Sequence, residues 1–323
     1  MKKIKESPLF WPAKLKGGVL KVLDEMLIPE KVCYIDVKNT KQAVDVIRKM
    51  KTRAFGQFLV VLNAFLLELN TGTDKTLVQR IMKTADALNK SRPTFPFSEV
   101  TSIIVGWAKM AEEKGMDVRS FVRKNTLGYL EGIRGRRLER VQTIASIIKD
   151  GDLILTHCNV SGELAMAAAL AQQQKKVLHI FATETRPYFQ GAKLTCWEMK
   201  RMGIGVTLVA DNAAGSLIAD GVVNKVIVGS DRSCANGDFA NKIGTYQIAV
   251  VAKEFDIPFY VLTQPSNKIK CGADIPIEIR DAKELLTYSG KKIFSGHVKG
   301  FYPGFDVIPR RLVTQSIAIN PGK

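Results

Sequence analysis

The sequence predicts an α/β protein in two parts, and the division falls near residue 150. Before that point apolar residues recur mostly at helical spacing. After it, short β-rich runs alternate with helical stretches, the pattern of a βαβ series and so of a parallel sheet covered on both faces. These observations set the expected domains as residues 1–149, mainly helical with a small β-hairpin, and residues 150–323, built on the parallel sheet.

Residues 18–37 carry two short apolar-alternating runs around a turn containing Pro29, which predicts the hairpin. Helices are expected near 40–50, 53–70, 74–89 and 98–116, and a longer helical stretch over 118–149. Asn70–Gly72 and Ser91-Arg92-Pro93 break the pattern ahead of two of them. From residue 151 the strands read DLILTH, VLHIFAT, VTLVA, KVIVGS and PFYVLT. The helices between them read ELAMAAALAQQQ, GAKLTCWEMKRMG, AAGSLIADG and NKIGTYQIAVVAKEF. No internal repeat or low-complexity linker interrupts the chain.

Hydrophobic residues make up 46% and charged residues 24% of the 323, the balance of a soluble globular protein. No apolar run reaches the roughly 18 residues of a membrane span. The opening MKKIKESPLFWPAKLKGG is basic but lacks the apolar centre of a secretion signal, so a cytoplasmic protein is expected. Cys33, Cys158, Cys196, Cys234 and Cys271 are scattered and odd in number, without a C-x-x-C pair, which argues against a zinc site or a disulfide framework. Four of them read as small buried hydrophobes. The net charge is +17, with 28 Lys/Arg against 16 Asp/Glu in residues 1–150 and 20 against 15 beyond. Arg134, Arg136, Arg137 and Arg140 sit among Glu131 and Glu139 and read as an ion-pair-laced helix face rather than a phosphate track. The charge excess is read as a solvated surface plus a small anionic ligand, with no nucleic-acid partner.

In a parallel sheet, ligands bind beyond the carboxyl ends of the strands, so each polar loop there is a candidate. Cys158 follows the first strand in Thr156-His157-Cys158-Asn159-Val160-Ser161-Gly162, just before a helix whose positive end favours a thiolate. A buried structural cysteine is the plain alternative. Asp231 follows the fourth strand at the same edge and reads either as functional or as a turn or capping aspartate. Asn241 and Lys242 are placed at the opening of a helix, where backbone N–H groups and a lysine make an anion site. The loop from Glu184 to Gly191 adds Arg186 and Gln190. Convergence of these groups on one edge carries more weight than any one of them.

Taken in order, THCN…G, ETRP…QGAKLT.WE, DNAAG, G.DR..ANGD.ANKIGT and the late Phe305-Asp306-Val307 with Pro309 resemble the methylthioribose-1-phosphate isomerase family. The resemblance covers most of residues 150–313, and weaker echoes reach Arg92-Pro93-Thr94 and the N-terminal hairpin. The wider superfamily includes ribose-1,5-bisphosphate isomerases and regulatory subunits of the exchange factor for a translation-initiation GTPase. The resemblance implies a Rossmann-like C-terminal domain, a homodimer, no metal or cofactor, and a place in methionine salvage. It implies Cys158 and Asp231 as the catalytic pair, and Gln190, Asn241, Lys242, Arg53 and Arg92 as substrate contacts. The implied reaction turns 5-methylthioribose 1-phosphate, or a close 5-deoxyribose 1-phosphate, into the ribulose 1-phosphate. Such chemistry asks for one acid and one base and no redox group. Two departures stand out. Arg53-Ala54-Phe55-Gly56-Gln57-Phe58 replaces a segment of small residues, and Ser230 stands where alanine is usual. Phe55 and Phe58 read either as lining for an apolar substituent or as core of a helix.

Overall fold

The computed structural model describes residues 5–93, 95–264, 268–288, 290–294 and 296–319. The chain divides into two compact units, Pro8–Gly135 and Met1–Ser7 with Arg136–Lys323.

The unit Pro8–Gly135 begins with a three-stranded antiparallel sheet of β1 (Ala13–Lys16), β2 (Val19–Leu23) and β3 (Tyr34–Val37). β2 and β3 are the expected hairpin pair, with Leu23 opposite Tyr34. β1 joins β2 through Gly17 and Gly18, both at positive φ, where a residue without Cβ meets no clash. Helices α1 (Thr40–Arg48), α2 (Ala54–Glu68), α3 (Leu77–Asn89), α4 (Phe97–Glu113) and α5 (Val118–Ile147) follow, and the division between the units lies inside α5. Every residue of α2 from Leu59 to Leu67 is buried, so α2 is a core helix rather than an amphipathic one. Ile47, Phe65, Ile81, Leu88, Phe97 and Ile104 pack in the same cluster.

The second unit alternates β4 (Asp152–Thr156), α6 (Glu163–Gln173), β5 (Leu178–Thr183), α7 (Cys196–Arg201), β6 (Gly205–Val209), α8 (Ala214–Ala219) and β7 (Lys225–Gly229). It continues through β8 (Arg232–Ser233), β9 (Phe239–Lys242), α9 (Thr245–Glu254), β10 (Phe259–Thr263) and α10 (Ala282–Leu286). The last elements are β11 (Thr287–Tyr288), β12 (Lys291–Lys292), β13 (Phe305–Ile308) and β14 (Gln315–Ala318). Six strands make one parallel sheet in the order β14-β10-β7-β4-β5-β6. The five expected strands are all present. The sixth, β14, lies beyond β10 and escapes the sequence pattern because QSIA is short and half polar. Val226, Ile227 and Val228 of β7 are fully buried, as a central parallel strand requires.

This order reverses once. From β4 the chain moves out to β5 and β6, then returns to β7 on the other flank of β4 and moves out to β10 and β14. The carboxyl ends of β4 and β7 therefore border the point where the winding changes direction, which is where an open α/β sheet leaves a crevice. A second, antiparallel sheet, β13-β9-β8, hangs off the end of β7, with Asp306 opposite Asn241 and Phe305 opposite Lys242.

Candidate active site

Cys158 lies two residues past β4, in a loop fixed atom by atom. His157 is buried, and its Nε2–H donates to the Ile243 carbonyl at 2.8 Å. Nδ1 lies 2.6 Å from the Thr183 hydroxyl, which donates to it when the ring is neutral. Burial holds its pKa below the usual histidine value, the Ile243 bond opposing this. Gly244 backs directly onto the imidazole. A Cβ there would stand about 3.0 Å from the ring, and φ is +104°.

The Cys158 N–H donates to Thr185 Oγ1 at 3.0 Å, and its carbonyl accepts from Thr195 Oγ1 at 2.6 Å. Asn159 donates to Thr195 and Glu198, and its Oδ1 receives the Ser161 N–H. Asp211 receives the N–H groups of Thr185 and Arg186, both at 2.7 Å. Cys158, Ser161, Thr185 and Phe189 all hold positive φ, between 46° and 66°. Each such non-glycine residue costs about 1–2 kcal/mol, and the network around them pays it.

Glu163, the first residue of α6, is buried with Arg137 and Arg140 of α5. Arg137 Nε and Arg140 Nε each stand 2.6 Å from its carboxylate, Arg137 also reaches the Ser161 carbonyl at 2.8 Å, and Arg140 the Thr263 carbonyl at 2.7 Å. Burial alone would raise the Glu163 pKa, but the two guanidiniums outweigh it and hold the carboxyl below its usual value. Burial brings Arg137 down to about 10. The arginine cluster is thus ion-paired, but not as a solvated face. Arg137 and Arg140 are 1% and 5% exposed, and their partner is Glu163 rather than Glu131 or Glu139. Arg134 lies over the Phe10 and Trp11 rings.

Asp231 follows β7, and its N–H donates to the Ala240 carbonyl of β9 at 2.8 Å. The Ser230 hydroxyl closes the same turn through the Arg232 carbonyl and Ser233. Asn241 and Lys242 are not at a helix start. They end strand β9, and α9 begins at Thr245. The helix N-terminus does not await an anion either, because Asp306 fills it, accepting from Gly244 N at 2.7 Å and Tyr246 N at 2.9 Å. Gly244 at positive φ separates strand from helix, a break the helical periodicity of the following residues hides. Asn241 Oδ1 lies 4.0 Å from where a Cβ on Gly229 would stand, and Val160 Cγ1 lies 3.7 Å from it, so β7, β9 and the Cys158 loop meet there. Buried Lys242 points its ammonium over the Phe305 ring at 4.9 Å and the Tyr188 ring at 5.8 Å. Gln190 is buried after β5, and its Oε1 has no hydrogen-bond partner among the described residues. Gly191 admits no side chain, since a Cβ would overlap the Thr183 carbonyl.

Within the second unit, then, the expected residues Cys158, Asp231 and Gln190 follow the adjacent strands β4, β7 and β5, and Asn241 and Lys242 end the strand beside them. Arg53 and Arg92 belong to the other unit, where both are tied to the start of α2. Arg53 is the N-cap of α2, and Arg92 donates to Gln57 Oε1 of its first turn at 3.1 Å. Phe55 and Phe58 stack 6.4 Å apart, with Trp11 against Phe55, half-buried on the core of that unit. Asp238 is a loop staple, accepting from Arg310 N, Gly272 N and Asn236. Cys196 and Cys234 have their thiols pushed up to about 11 by burial. Among the described residues, no group of three His, Cys, Asp or Glu could hold a metal ion, and no helix is long and apolar enough to cross a membrane.

The fold is a Rossmann-like α/β unit, and a thiol, a carboxyl and buried amide and ammonium groups follow the strands around its switch point. The chain belongs to the initiation factor 2 subunit family, whose model matches residues 53–319. It is 37% identical to a methylthioribose-1-phosphate isomerase of Desulforudis audaxviator, over 96% of this chain and 92% of that one. The solved structure of the Pyrococcus horikoshii 5-methylthioribose 1-phosphate isomerase superposes with a TM-score of 0.83 at 28% identity, covering 98% and 94%. That of the translation initiation factor eIF-2B subunit delta of A. fulgidus gives 0.82 at 31%, covering 96% and 94%.

Two outcomes are expected. Glu163→Gln leaves two guanidiniums buried without their carboxylate, so unfolding free energy in a urea titration should fall by about 3–5 kcal/mol. His157 is held neutral, so the unfolded chain binds the proton first as pH drops. Thermal stability should be full above about pH 6.5 and decline below it, and His157→Gln should flatten that decline.

Proposed function

We propose that this chain is a sugar-phosphate isomerase that converts 5-methylthioribose 1-phosphate to the ribulose 1-phosphate by proton transfer between Cys158, Asp231 and the sugar. The observation that carries the reading is the placement of a thiol and a carboxyl directly after the two strands that border the switch point, β4 and β7. The substrate's C1 oxygen is esterified, so no free aldehyde exists and the ring must open. Asp231 delivers a proton to the ring oxygen as the C1–O bond breaks. Cys158, as thiolate, takes the C2 proton, leaving an enol between C1 and C2. Return of a proton to C1 and loss of the hydroxyl proton at C2 give the ketose, with no net change in atoms or electrons. Lys242, Asn241 and Gln190 bind the sugar phosphate.

An apolar 5-substituent is the better match. A second dianion would need cations of its own. Arg280 is already committed to Glu278 and Glu284, and Arg137 and Arg140 to Glu163. A Moorella thermoacetica relative carries the name 5-deoxyribose 1-phosphate isomerase, which keeps the 5-deoxy sugar beside the methylthio one. The second reading, a non-catalytic regulatory subunit, is favoured by the likeness to the A. fulgidus subunit. A homodimer in the cytoplasm goes with the isomerase reading. Exposed Ile279, Tyr288, Ile293, Phe294 and Phe301 offer the apolar surface an assembly would cover.

Purified protein should isomerise the substrate without added metal or nucleotide. Cys158→Ser should then lower kcat by roughly 100-fold or more with folding intact, and Asp231→Asn should lower kcat with little change in substrate binding. Wild-type turnover in either variant removes that residue from the mechanism, and no turnover by the parent protein favours the regulatory reading. In paired assays, kcat/KM for 5-methylthioribose 1-phosphate should exceed that for ribose 1,5-bisphosphate by about tenfold or more, or 1.4 kcal/mol. A bisphosphate preference of that size overturns the choice of substrate alone.

A further inference from the structure

We propose that Tyr302 is a further substrate-binding residue, its buried hydroxyl donating a hydrogen bond to an oxygen of the bound sugar. The inference rests on the isomerase reading and extends it to a segment far down the chain. Tyr302 and its neighbour Phe301 are placed against their solubilities. Phe301 is 75% exposed and Tyr302 is 3% exposed, although the phenylalanine is the side chain that gains more from leaving water. A buried tyrosine hydroxyl ordinarily finds a partner. That of Tyr302 makes no hydrogen bond to any described residue.

The segment is held from both sides, so the arrangement is not a loose tail. The Tyr302 carbonyl accepts from Arg280 N at 2.8 Å, Pro303 bridges to Ile279, and Gly304 N donates to the Glu278 carbonyl at 2.8 Å. Gly304 in turn receives the N–H of Ile243, the residue after Lys242, at 3.2 Å. The Tyr302 ring stands 6.5 Å from the Tyr188 ring, over which the Lys242 ammonium lies. These two tyrosines differ in one respect. The Tyr188 hydroxyl is already bound by Arg280, whereas the Tyr302 hydroxyl is unspent.

Burial raises the Tyr302 pKa, with the charges of Tyr188 and Cys158 acting in the same direction, so the phenol stays protonated and serves as a donor. Gln190 Oε1, buried and equally without a hydrogen-bond partner among the described residues, is the complementary acceptor. One donor and one acceptor, both desolvated in advance, suit sugar hydroxyls, and such a site rejects a sugar lacking them.

The test is Tyr302→Phe in the full-length protein. It removes a hydroxyl with no partner among the described residues, so the thermal midpoint without ligand should be unchanged or higher. The rise in midpoint on adding 5-methylthioribose 1-phosphate should shrink, and kcat/KM should fall roughly 10–100-fold. Wild-type kcat/KM with a wild-type ligand-induced shift overturns the proposal, and so does a variant that melts markedly earlier without ligand, since the hydroxyl would then be structural. The isomerase reading fails separately, by absence of turnover in the parent protein. In that event the ligand-induced shift of parent against variant still decides Tyr302, and no shift in the parent overturns it.

Discussion

The Cys158 loop hangs from one buried carboxylate. Glu163 opens α6, and its two oxygens are divided between Arg137 and Arg140 near the end of α5. The same guanidiniums hold the Ser161 carbonyl, at the far side of the loop, and the Thr263 carbonyl, at the end of β10. Three charges out of water are not a favourable trade against an apolar cluster of equal volume, but a partial version of the set is far worse. Such a cluster therefore acts as a register pin. It allows one arrangement of α5, α6 and β10, and the turn between β4 and α6 must fit within it. The left-handed backbone at Cys158 and Ser161 persists because the loop has little room to relax.

Much of this was legible in the residues. The alternation of apolar runs after residue 150 gives five of the six parallel strands, and strand order alone makes the end of β4 and the end of β7 special. What period cannot show is the short, half-polar piece. AKLK and QSIA each have too few apolar positions to separate strand from loop, and both take their shape from the sheet they join. Asn241 and Lys242 read as a helix start for a related reason. Helical spacing runs smoothly from Thr245 back through them, and only the glycine conformation at 244 reveals the break.

Side-chain pairing was the least legible layer. Arg137 and Arg140 have acidic neighbours on their own helix, so local charge patterning points to Glu131 and Glu139. The true partner lies 23–26 residues onward, across a strand and a loop. Asp238, close in sequence to Asp231, spends its oxygens on the backbone N–H groups of Gly272 and Arg310, a pairing across 34 and 72 residues that no local pattern shows. The exposed Phe301 beside the buried Tyr302 leaves no trace in composition or period, since both read as aromatic.

The antiparallel pairing of β13 with β9 carries a consequence for how this chain can vary. Asp306 faces Asn241 across that ladder and also closes the first turn of α9. Because side chains alternate along a strand, insertion or deletion of a single residue in 305–308 would swing Asp306 to the opposite face. The helix would lose its cap and Lys242 its Phe305 neighbour in the same event. Point substitutions there can be graded, but length changes are all-or-nothing.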